Sequence, residues 1–93
     1  MTLGEKLRAL RIDMNLTQMD VAGLTGIHHV TISEYERSFR IPSFEDAVIL
    51  AHELGGEVNE FVTLSVKERL LKTEAGRIAL AEFREGRFYD DAD

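Results

Sequence analysis

The chain has 93 residues, of which 44% are apolar, with one proline, no cysteine and a formal net charge of −6. That size holds one small domain with at most an appended helix, and the composition is globular, not disordered. The missing cysteines exclude disulfides, thiolate metal sites and thiol nucleophiles, and no apolar run approaches the roughly 20 residues of a membrane span. The charged opening MTLGEKLRAL does not read as a signal peptide, so a cytoplasmic protein is expected. The acidic balance by itself argues against a nucleic-acid partner. It is uneven, however: residues 1–40 carry five basic and five acidic side chains, and residues 41–93 carry six and twelve.

The first helix opens at Thr2 and Glu5, which stand in capping-box spacing. Leu3, Leu7, Leu10 and Met14 then recur at helical intervals as one apolar stripe, and Asn15, tolerant of a left-handed backbone, ends it. A second helix starts at Thr17, whose hydroxyl caps Met19 or Asp20, and runs to about Thr25. The third covers about His28 to Arg37.

Residues 17–36, TQMDVAGLTGIHHVTISEYE, are the most informative stretch. Two short helices joined by a tight turn need a small residue where they cross, a turn residue that accepts a left-handed backbone, and a branched apolar residue pointing back from the second helix. Ala22, Gly26 and Ile32 meet these needs in order after Gln18, with Val21, Leu24 and Ile27 filling the inner face. This is the helix-turn-helix pattern that lays one helix in the DNA major groove.

Pro42 disfavours helix at Ile41, and Ser43 caps a fourth helix that ends near Leu54 with Gly55 as its stop. Its expected buried face is Phe44, Ala47, Val48, Leu50, Ala51 and Leu54. A short fifth helix is expected over about Val58 to Thr63. Ser65 and Glu68 repeat the capping-box spacing and predict a sixth helix to about Glu85, with Val66, Leu70 or Leu71, Ala75, Ile78 and Phe83 as its stripe. The tail GRFYDDAD is acidic and carries two adjacent aromatics. No strand-like alternation and no internal repeat occurs, so the expected fold is all-α.

Several spaced motifs together resemble the lambda-repressor-like helix-turn-helix family that includes Cro and Xre-type regulators. They are Leu7-Arg8 with Leu10-Arg11, then Leu16-Thr17-Gln18, Ile32-Ser33-Glu34-Tyr35-Glu36-Arg37, Pro42-Ser43 and Leu54-Gly55, over roughly residues 3–62. The resemblance implies a five-helix DNA-binding domain, commonly a dimer on palindromic operators, here extended by an additional C-terminal helix. The expected division is residues 1–64 for DNA binding and 65–93 for dimerisation or partner docking. Two positions depart from the family pattern. Ser38 stands where a left-handed turn usually has glycine, at a cost of up to about 1–2 kcal/mol, and Gly56 stands where an apolar residue usually packs back.

Carried over position by position, the resemblance implies that His28, His29, Val30, Ser33 and Glu34 approach base edges. Histidine can donate to guanine, glutamate can accept from cytosine N4, and valine can meet a thymine methyl. The plainer reading of both histidines is a solvent-exposed helix start. Phosphate contacts fall to Gln18, Thr31, Arg37, Ser38 and Arg40, for which ordinary surface polarity is the alternative. Arg11 and Glu36 occupy places that form a partly buried ion pair in the family. Adjacent histidines diverge on a helix, so no metal site is expected, and no cofactor or active site emerges.

A lone amphipathic helix is marginal in water, so the C-terminal stripe needs a partner. Intramolecular packing, a homodimer seam, or docking of another protein through Leu70, Leu71, Ile78, Phe83, Phe88 and Tyr89 would each supply one. The expected protein is a non-enzymatic transcriptional regulator, a repressor that binds a double-stranded palindromic operator as a homodimer through its third helix. The alternatives are an antitoxin with a toxin partner at its C-terminal segment, and an interaction adaptor that does not bind DNA.

Overall fold

The computed structural model describes residues 1–84, which form six helices and no strand: α1 (Leu3–Asp13), α2 (Gln18–Thr25), α3 (His29–Glu36), α4 (Phe44–Leu54), α5 (Val58–Leu70) and α6 (Glu74–Arg84). Local chemistry sets most of the boundaries. Thr2 with Glu5 and Thr17 with Asp20 both close complete capping boxes, so the second hydroxyl takes Asp20 and not Met19. Ser43 caps Asp46 at the head of α4, while Gly26 and Gly55 take left-handed conformations at the ends of α2 and α4. Asn15 ends α1 at φ +58°.

The five-helix head closes around Leu3, Leu7, Val21, Ile27, Ile32, Tyr35, Ala47, Leu50, Ala51, Leu54 and Phe61, all buried. The amphipathic patterns overreach at their ends. Met14, Leu24 and Phe44, expected inside, are exposed. Leu10, Ala22 and Val48 are half-buried.

Two glycines determine how closely helices approach. A Cβ on Gly4 would collide with the Tyr35 carbonyl oxygen, so glycine lets the head of α1 lie against the end of α3. At Gly56, a Cβ would come within 2.8 Å of the Phe61 ring and 3.1 Å of Leu10. Phe61 thus occupies the space that a side chain at position 56 would need.

The expected helix start at Ser65 is corrected. α5 runs unbroken through it to Leu70, and the two would-be capping residues serve long-range contacts. The Ser65 hydroxyl, fully buried, donates to the Pro42 carbonyl at 2.6 Å, and the Glu68 carboxylate accepts from the Leu3 N–H at 2.7 Å. Arg69 also donates to the Pro42 carbonyl, and Lys6 pairs with Glu60. The break falls later, where the Thr73 hydroxyl accepts from the Gly76 N–H at 2.9 Å and starts α6. Gly76 lets α6 fold back tightly, since a Cβ there would strike the Leu70 carbonyl.

Candidate nucleic-acid interface

The α2–α3 unit forms because Gly26, at φ +78°, reverses the chain while its N–H still closes on the Ala22 carbonyl at 2.9 Å. Ile27 and Ile32 then anchor α3 in the core, which turns the opposite face of the helix outward. At its head, the His28 Nδ1 accepts from the Val30 N–H at 3.2 Å. An imidazole therefore does the work usually left to a hydroxyl or carboxamide. The two histidine rings stack at 4.6 Å between centroids and so do not diverge as expected, because His28 is the cap and lies outside the helix. Val30 beside them is exposed.

Ser33 and Glu34 follow one turn on, half-buried. The Glu34 carboxylate lies 3.5 Å from Arg40, so these two expected DNA contacts, one to a base and one to a phosphate, face each other. The end of α3 is tightly wound. Ser38 adopts φ +60°, its N–H donates to the Tyr35 carbonyl at 3.1 Å, and the Phe39 N–H donates to the Glu34 carbonyl at 2.8 Å. This is the Schellman arrangement, formed with serine where glycine is usual. Arg37 and Ser38 are exposed in this turn, and Thr31 is half-buried on α3.

Beneath this surface lies a closed polar network. Arg11 grips Glu36 with two hydrogen bonds, Nε to Oε2 at 2.6 Å and Nη2 to Oε1 at 2.9 Å, and its Nη1 donates to the Leu16 carbonyl at 2.8 Å. The side chains are 13% and 2% exposed, and the bond to Glu36 raises the Arg11 pKa further above its ordinary value. Gln18 joins the same carboxylate at 3.2 Å. Its amide thus has an internal partner, while its main chain begins α2. Tyr35 donates to Asp46 at 2.6 Å, and burial followed by that bond pushes its phenol up to about 12.

The C-terminal candidates separate into two sets. Leu70 and Phe83, with Val62, Val66, Ala79 and Leu80, line an open apolar groove of about 570 Å³ between α5 and α6. Leu71 and Ile78 are exposed and lie outside its lining. Phe88 and Tyr89 lie outside the described residues. Among the described residues, no group of three or more histidines and carboxylates is placed to hold a metal, and no helix is long and apolar enough to cross a membrane.

Sequence reasoning missed Phe39, whose ring lies under the Arg37 guanidinium, and the Ser65–Arg69–Pro42 clamp. The signal for Phe39 was an aromatic two residues past an arginine, directly after the position where a left-handed turn is expected. The sequence profile of a helix-turn-helix family, of the Cro/C1 and Xre-like type, matches residues 7–61, more than half of the chain. No curated protein and no solved structure matches the chain.

Proposed function

We propose that this chain, which belongs to the Cro/C1-type helix-turn-helix family of DNA-binding regulators, is a repressor that binds a palindromic operator as a homodimer. The observation that carries this reading is the outward face of α3, with His28, His29 and Val30 at its head and its other face locked into the core by Ile27 and Ile32. In the major groove, His29 and His28 donate to guanine edges through the nitrogens not used for capping, and Val30 meets a thymine methyl. Ser33 adds a hydroxyl, and Glu34 accepts from cytosine once Arg40 turns to a phosphate. Gln18, Thr31, Arg37, Ser38 and Arg40 set the register along the backbone. Arg11 and Glu36 hold α1, α2 and α3 in one frame and touch no base.

The second half of the reading assigns residues 65–93 to association. The apolar groove and the exposed Ile78 on the same arm support a second copy as the occupant. Residues 58–84 hold five basic and four acidic side chains, so two such arms meet without net repulsion. The same groove supports a toxin partner as the alternative, with the chain acting as an antitoxin.

Selection of binding sites from a random-sequence duplex library tests the whole reading. An inverted repeat with half-sites about 10 base pairs apart, one helical turn, is the expected outcome. Enrichment of a single asymmetric half-site removes the dimer, and no enrichment removes sequence-specific binding.

A further inference from the structure

Three arginines surround the end of α3, and they differ in what holds them. Arg11 is fully occupied by Glu36 and the Leu16 carbonyl. Arg40 faces the Glu34 carboxylate at 3.5 Å, so its charge is partly answered within the protein. Arg37 is held without being neutralised. Its Nε donates to the Ser33 carbonyl at 3.4 Å, and its guanidinium carbon lies 4.4 Å from the centre of the Phe39 ring. Neither Nη atom meets an acceptor among the described residues.

The distinction is geometric. A carboxylate binds the N–H edge of a guanidinium, whereas an aromatic ring takes its face and leaves the edge open. Phe39 is 67% exposed and fills no part of the core. The left-handed Ser38 and the bond from the Phe39 N–H to the Glu34 carbonyl turn the ring back beneath the side chain two residues earlier. Arg37 caps the end of α3, its N–H still bonded to the Ser33 carbonyl, so it follows in line with Ser33 and Val30, four and seven residues earlier.

We infer that Phe39 is a positioning residue for DNA binding: its ring presets the Arg37 guanidinium, N–H edge outward, for a two-pronged contact with one backbone phosphate beside the recognition helix. The inference rests on the DNA-binding reading above and adds a residue that reading does not contain. A free arginine side chain loses much rotamer freedom when it docks, and stacking on Phe39 removes part of that loss before DNA arrives.

The test uses fluorescence anisotropy with a labelled mixed-sequence duplex, between about 50 and 200 mM salt, and thermal melts of every variant. Arg37→Gln is expected to weaken binding and to lower the salt slope by about one. Phe39→Ala is expected to weaken binding about two- to fivefold while keeping both the slope and the melting temperature. Phe39→Tyr restores wild-type affinity, and Phe39→Ala adds no loss on top of Arg37→Gln. An equal loss from Phe39→Ala in both backgrounds, a shift in melting temperature in place of affinity, or no change at all would overturn the inference while leaving DNA binding intact. If the wild-type protein shows no salt-sensitive binding, the DNA-binding reading fails and the inference falls with it.

Discussion

The head and the C-terminal arm of this protein solve the same problem in opposite ways. In the head, α1 to α4 and the start of α5 gather their buried apolar side chains into one core, and the buried Glu36 is fully engaged by Arg11 and Gln18. No buried side-chain polar atom among the described residues lacks a partner. The arm folds α6 back on α5, yet Val66 and Phe83 in the groove and Leu71 and Ile78 outside it stay exposed. That core and the Arg11–Glu36 pair hold α3 in place beneath its outward face. The arm carries exposed apolar side chains beside a groove, the surface that the proposed association would use.

The sharpest way to break the head is at its ion pair. Glu36→Ala leaves the Arg11 charge nearly buried without a counter-ion and is expected to cost about 3–5 kcal/mol, read as a lower melting temperature. A melt matching wild type would mean that the network contributes little. Gly4→Ala comes next, at about 1–3 kcal/mol, because the added carbon strikes the Tyr35 carbonyl and must part α1 from α3.

The arm should respond differently. Ile78→Glu, at an exposed position, is expected to leave the head's melting transition within about 0.5 kcal/mol of wild type while converting the proposed homodimer to a monomer in sedimentation. Loss of the head's transition instead would mean that the two regions fold as one unit.

A pH scan sharpens the comparison from the other side. The Tyr35 phenol is raised to about 12 by burial and by Asp46, against about 10 in an unfolded chain. Its contribution is therefore complete below about pH 10 and is lost as pH rises from about 10 to 12. The melting temperature should fall across that window, and Tyr35→Phe, which cannot titrate, should flatten that part of the fall. Ser38→Gly relieves a left-handed serine at φ +60° and should raise the melting temperature slightly, by the equivalent of at most about 1 kcal/mol once the greater freedom of glycine in the unfolded chain is set against it.

What was legible in the chain follows the same division. Capping boxes at Thr2–Glu5 and Thr17–Asp20 span three residues, so their partners are visible in the sequence itself. Gly26 and Ile32 carry the turn and the anchor of α3 for equally local reasons. Ser65 and Glu68 show the same spacing, but their partners are Pro42 and Leu3, and nothing local distinguishes a cap from a long-range clamp. Gly4 and Gly56 have meaning only once the crossing of helices is known. In the candidate site, the positions on α3 could be assigned from the motif. The pairing of Glu34 with Arg40 and the capture of Gln18 by Glu36 depend on how the chain returns after Ser38 and how α2 meets α3.

The most direct measurement is an anisotropy titration of the whole protein against a library-selected duplex and its scrambled counterpart, at about 50 and 200 mM salt. Selective binding that weakens steeply with salt is the predicted result. Equal affinity for both duplexes, or none for either, would contradict the assignment of α3 as a reading helix.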